Sequence, residues 1–141
     1  MRCKSSIFSF CLAVLFGFGC SSSTSTASDA GGDTGGNGGA FMAIAPCAST
    51  SDYVTGMTAI TTLATLRYSP QCLKVTAGTR VSIQATSTHP LIGLATGSAN
   101  NPIPGGRSTT DQMVTFATAG FYPYQCDIHF GIGMKGVVWV Q

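Results

Sequence analysis

The chain contains no glutamate, only two histidines and a single tryptophan, and only 9% of its residues are charged. These shortages exclude several function classes. A nucleic-acid clamp works by neutralising phosphates with clustered Lys and Arg. Here Arg67, Lys74, Arg80, Arg107 and Lys135 are dispersed, and the whole chain carries a formal charge of only +2. Long apolar runs are equally scarce. The one candidate, Ile7 to Gly19, is apolar apart from Ser9 but falls short of the roughly 20 residues a bilayer span needs. No long stretch combines a 3.6-residue apolar period with capping residues, so extended helices are not expected either.

What is present is strand signal. Alternation runs through Leu73–Val75, Arg80–Ala85, Met113–Thr118 and Val137–Gln141, with turn residues at Ala77-Gly78-Thr79 and Ala119-Gly120 between them. Met57 to Leu66 could be a short helix, but its Thr and Ile content favours a strand. Gly97 to Gly106, with Asn100, Asn101, Pro102 and Pro104, reads as a loop. Residues 41–141 therefore predict one all-β domain, of the size of a single sandwich and too small for two cores. Trp139 is expected to face the core, and Tyr122 is a candidate for the hydrogen bond of a tyrosine corner.

The chemistry concentrates near the end of the chain. Cys126, His129 and Met134 form a C-x2-H-x4-M pattern in which Gly131 and Gly133 allow a tight turn. Taken singly, each has an ordinary reading: a buried small thiol, a hydrogen-bonded imidazole, a core-filling thioether. Together they offer three donors from one short loop. Two His, one Cys and a weak axial Met are the ligand set of blue-copper electron transfer, since soft sulfur suits Cu(I) and imidazole also binds copper. The second imidazole can come only from His89, in Thr-His-Pro-Leu.

These residues resemble the cupredoxins, and most closely their plastocyanin and pseudoazurin branch. The resemblance covers about residues 58–141. It rests on Tyr122-x-Tyr124-x-Cys126, the C-x2-H-x4-M loop, the Gly136-x-Val138-x-Val140 finish and the Ser69-to-Gly78 segment. It implies a Greek-key β-sandwich holding one copper ion that cycles between Cu(II) and Cu(I). His89, Cys126 and His129 would be the strong ligands and Met134 the axial one. Pro90 departs from the family, which commonly has Asn after the first histidine.

The front of the chain points to export. Arg2 and Lys4 precede the apolar run, which ends in Gly17-Phe18-Gly19-Cys20 and resembles a bacterial lipoprotein box. That resemblance implies a signal peptide over 1–19 and a lipid on Cys20. Ordinary signal cleavage nearby is the alternative, since Gly17 stands where Leu is usual. Residues 20–40 are Ser, Thr, Gly and other small or polar types that cannot bury a core. They would form a flexible coil about 25 Å across, extensible to roughly 70 Å. The expected location is the cell envelope or periplasm, on a bacterial membrane.

Six cysteines are present. Cys3 and Cys11 would leave with the signal, Cys20 would carry lipid and Cys126 the metal, which leaves Cys47 and Cys72. Export favours their oxidation to a disulfide, with two free buried thiols as the alternative.

The expected function is single-electron transfer rather than catalysis. A copper enzyme with a second substrate-binding site needs further histidines, and a Ser-His-Asp set would have to take a copper ligand. A periplasmic copper carrier or buffer using the same ligands is the second reading. The predicted protein is a monomer whose redox partners dock near His129. Phe130, Ile128 and Ile132 would supply an apolar rim there, unless the two isoleucines pack inward.

Overall fold

The computed structural model describes residues 40–98 and 100–141. The expected signal peptide, Cys20 and nearly all of the linker lie outside the described residues. Eight strands form the domain: β1 (Ala59–Leu63), β2 (Arg67–Ser69), β3 (Cys72–Val75), β4 (Thr79–Ile83), β5 (Leu91–Gly93), β6 (Gln112–Phe116), β7 (Gly120–Cys126) and β8 (Lys135–Val140). They make two four-stranded sheets, in the orders β2-β1-β4-β6 and β3-β8-β7-β5. Only the β1–β2 and β7–β8 connections stay within one sheet. Every other connection crosses to the opposite layer, joining the two sheets into one sandwich. Parallel pairing of β1 with β4 and of β3 with β8 makes both sheets mixed. Among the described residues no helix is long and apolar enough to cross a membrane.

Alternation explains the first sheet. Val81 and Ile83 of β4 and Val114 and Phe116 of β6 are buried, whereas Arg80, Met113 and Thr115 are exposed, the two-residue period of a sheet solvated on one face. The main core lies between the sheets and contains Ile60, Tyr68, Val81, Leu91, Phe116, Tyr122, Tyr124, Cys126, Met134 and Val138. Tyr122 donates its phenolic proton to the Thr118 carbonyl at 2.7 Å, the tyrosine-corner contact predicted above. The Gly97–Gly106 segment is a loop, yet Ile103 from it is buried in the core.

The second sheet is covered on both faces, so the domain holds two cores rather than the one its length predicts, the N-terminal segment folding back to bury the outer face. Phe121, Val137 and Trp139 point away from the main core into a second cluster with Cys47 and Tyr53, against which Phe41 and Ile44 pack. Trp139 is buried, but on this outer face of β8. Phe121 stacks on it at 5.4 Å, Tyr53 and Phe41 meet it edge-on at 5.2 and 5.5 Å, and Lys74 Nζ lies 4.4 Å from its centroid. A disulfide between Cys47 and Cys72, with a sequence separation of 25, ties this N-terminal cover to β3. Such a link typically contributes about 2–4 kcal/mol.

Candidate metal centre

The site is built at one end of the second sheet by strand register. Leu91 pairs with Cys126 across β5 and β7, and Asp127 N–H donates to the Pro90 carbonyl at 2.9 Å. His89 therefore emerges beside the end of β7. Its own position is set by a tight turn: His89 N–H donates to the Thr86 carbonyl at 3.2 Å and also reaches Thr86 Oγ1 at 3.0 Å.

The Cys126–Met134 loop closes on itself. Cys126 N–H donates to the Met134 carbonyl at 2.9 Å, and Met134 N–H to the His129 carbonyl at 3.2 Å. Between them Phe130–Ile132 form one 3-10 turn ended by Gly133, whose φ of 93° is left-handed and strained for a residue with a side chain. Gly136 is required for space: a Cβ there would collide with the Tyr124 hydroxyl and with the Gln71 carbonyl.

His89, Cys126 and His129 come together, with their donor atoms all within 4.8 Å of one another. His89 Nδ1 is 3.2 Å from His129 Nδ1, and Cys126 Sγ is 3.5 Å from His129 Nδ1. An ion with zinc-like bond lengths, about 2.0–2.1 Å to nitrogen and 2.3 Å to sulfur, separates two tetrahedrally placed nitrogens by roughly 3.3 Å and nitrogen from sulfur by about 3.5 Å. The His89–His129 and Cys126–His129 spacings match these values. Cys126 is fully buried, and the two imidazoles are partly exposed. Met134 is fully buried in the same core cluster as Cys126, its backbone bonded to both Cys126 and His129. Among the described residues the donors gathered there are a thiol and two imidazoles with no carboxylate, a set that suits copper better than a hard cation.

The nearby tyrosines do not compete for metal. Burial pushes the Tyr68 phenol well above its ordinary range, and negative charge on Cys126 adds to the effect. Burial and then Tyr68 do the same to Tyr124. Both remain protonated at neutral pH and pack edge-on at 4.9 Å.

The apolar residues around His129 face solvent rather than the interior: Ile128, Phe130 and Ile132 are 49%, 45% and 55% exposed. Two residues at the site escaped the sequence reading, Arg67 and Gln71. Arg67 donates to the Ile132 carbonyl, and Gln71 Nε2 donates to the carbonyls of Gly133 and Lys135 at 3.4 and 3.1 Å. Each lies more than 60 positions from its partners, so no local pattern could have signalled them.

Comparison with known proteins agrees with this geometry. No curated protein matches the chain. Among solved structures, a copper-containing nitrite reductase from Thermus scotoductus SA-01 aligns with a TM-score of 0.52 at 16% identity, over 69% of this chain and 29% of that one. A likeness at that identity shows the fold alone, and the present chain spans under a third of the reductase. A purple cupredoxin from Nitrosopumilus maritimus aligns at 0.45 and 20% identity, over 60% of this chain and 100% of the other. Plastocyanin from Dryopteris crassirhizoma aligns at 0.44 and 18%, over 53% and 88%. The profile of the copper binding proteins, plastocyanin/azurin family, matches residues 55–141, a span that contains every donor gathered here. The chain belongs to the plastocyanin/azurin family of copper-binding proteins.

Proposed function

We propose that the domain transfers single electrons through one copper ion held by His89, Cys126 and His129, with Met134 as the axial ligand. The observation that carries this reading is the convergence of one thiol and two imidazole donors within 4.8 Å beside an exposed apolar rim. Copper in such a site supplies a one-electron couple between Cu(II) and Cu(I). The protein's part is to hold the ligands still. Cys126 is anchored by strand pairing, His89 by its turn and Met134 by two backbone hydrogen bonds, so little of the site has to move when the charge changes.

His129, partly exposed in the loop, is the port through which the electron passes. Ile128, Phe130 and Ile132 form a rim suited to brief docking of a redox protein, because a small apolar patch favours weak, short-lived complexes. The domain works as a monomer and performs no catalysis itself, since both histidines of the chain belong to the one cluster. Residues 1–19 direct export, a lipid on Cys20 anchors the protein to a bacterial membrane, and residues 20–40 let the 41–141 domain range above it.

Protein-film voltammetry of the copper-loaded domain tests the reading. A reversible one-electron wave, with copper retained against a chelator, is expected. Rapid loss of copper to the chelator without a reversible wave would favour the carrier reading instead. Membrane partitioning that disappears in Cys20→Ser tests the anchor separately. Freely soluble, unmodified wild-type protein would contradict the anchor alone.

A further inference from the structure

Arg67 stands out among the residues that no ligand role absorbs. It follows Leu66, the one non-glycine residue with a positive φ among the described residues, at 57°. Strained positions of this kind persist where surrounding contacts hold them, and they cluster at functional sites. The turn is closed by Leu66 N–H donating to the Leu63 carbonyl at 3.0 Å. It delivers the Arg67 side chain from the first sheet to the loop of the second. There Nη1 bridges two carbonyls, that of Leu66 at 3.3 Å and that of Ile132. The guanidinium also lies flat against Gly133, where an added Cβ would meet Nη1, Cζ and Nη2 at 3.1, 3.2 and 3.3 Å.

Ile132 and Gly133 are the two residues that lead into Met134. From the other side Gln71 donates to the carbonyls of Gly133 and Lys135, and its own carbonyl accepts from Val137 N–H at 2.8 Å. Met134 is thus flanked on both sides by carbonyls fixed from outside the loop. Among the described residues the only ion pair is Arg107–Asp127, so no carboxylate neutralises the Arg67 charge.

We propose that Arg67 is a positioning residue for the copper site: its guanidinium clamps the Ile132–Gly133 backbone so that Met134 is held in place, and its unpaired positive charge disfavours the more highly charged Cu(II) state. The inference rests on the copper reading above. Two properties of the side chain are separable. The planar fork that reaches two carbonyls while lying against a glycine is particular to arginine, whereas lysine keeps only the charge.

The test uses the copper-loaded protein as wild type, Arg67→Lys and Arg67→Met, with apo-protein melting temperature as the control for a merely structural role. Outer-shell partners of metal ligands typically matter by 10–100-fold in metal affinity. Arg67→Lys is therefore expected to release copper to a chelator about tenfold faster than wild type, with an altered Cu(II) electron paramagnetic resonance spectrum. Since both variants lack the fork, comparing them isolates charge, and Arg67→Met should have the lower reduction potential. If Arg67→Met fails to fold, Arg67→Gln replaces it as the uncharged variant in the comparison of potentials, and Gln71→Leu, which removes the other cap, should also speed copper release. Unchanged release and spectrum in Arg67→Lys would overturn the clamp, as would a lowered melting temperature with copper properties untouched. Equal potentials in the two Arg67 variants would overturn the charge effect. A wild-type protein that binds no copper would sink the functional reading and this inference together.

Discussion

The second sheet presents two contrasting regions, the Cys126–Lys135 loop at one end and the N-terminal cover over its outer face. In the loop, the side chains between the buried Cys126 and Met134 are largely released from packing. Ile128, Phe130 and Ile132 face solvent, His129 turns to the cluster, and the backbone is held by its own hydrogen bonds and by carbonyl caps from Arg67 and Gln71. In the cover the reverse holds. Phe41, Tyr53, Phe121 and Trp139 interlock, and Cys47–Cys72 ties the segment down, while few backbone bonds are made beyond the Ile44–Cys47 bridge and the pairing of Val54 with β3. A region that must offer its side chains to a ligand is fixed through its backbone. A region that only has to exclude water is fixed through its side chains.

If that division is right, damage to either region should leave the other's property intact. The largest effect is expected from Cys126→Ala, which should eliminate the intense visible colour of the Cu(II) protein while the apo domain still folds. Trp139→Ala is its counterpart. Removing a buried aromatic typically costs about 3–5 kcal/mol, so a large fall in unfolding free energy in urea is expected with the Cu(II) spectrum unaltered. A spectral change in that variant would break the comparison. Reduction of Cys47–Cys72 should cost about 2–4 kcal/mol, again without a change in colour.

Smaller effects sharpen the picture inside the loop. Met134→Leu should keep the colour and shift the reduction potential, because the axial ligand tunes more than it binds. Pro90→Asn bears on the thiolate. Within hydrogen-bonding range of Cys126 Sγ, among the described residues, lies only His129 Nδ1. Proline has no N–H to offer. Restoring a donor should withdraw electron density from the sulfur and raise the potential by tens of millivolts. An unchanged or lower value with the colour intact would show that Pro90 does something else.

The smallest expected effect belongs to the cover. Burial, with Asp52 adding to it, pushes the Tyr53 phenol up to about 12, and among the described residues its hydroxyl has no hydrogen-bond partner. A folded-state value above the ordinary 10.0 means the fold favours the protonated phenol. That contribution is complete below pH 10 and is lost as pH rises towards 12. Tyr53→Phe removes both the orphan hydroxyl and this titration. It should leave neutral-pH stability unchanged or slightly raised and lessen the alkaline loss measured by urea unfolding at rising pH.

Legibility in the sequence followed the same division. Val81 and Ile83 were readable because their strand has one wet face, and the Cys126, His129 and Met134 set was readable because it is local. Trp139 reads as facing the core, yet it lies on the outer face of β8, because Val137–Val140 is buried on both sides and the alternation read across Val137–Gln141 does not mark an inner face. Phe41 and Ile44 gave no sign of which face they cover. Arg67 and Gln71 were invisible because their role arises only when distant segments meet. Cys47 with Cys72 could be paired only by accounting for every other cysteine.

The most direct test of the central claim is the absorption spectrum of the Cu(II)-loaded protein, recorded beside Cys126→Ala. Thiolate bonded to Cu(II) by Cys126 predicts an intense visible charge-transfer band in the wild type and none in the variant. A wild-type spectrum with only weak bands, or a band that survives in Cys126→Ala, would contradict the assignment of Cys126 as the copper thiolate.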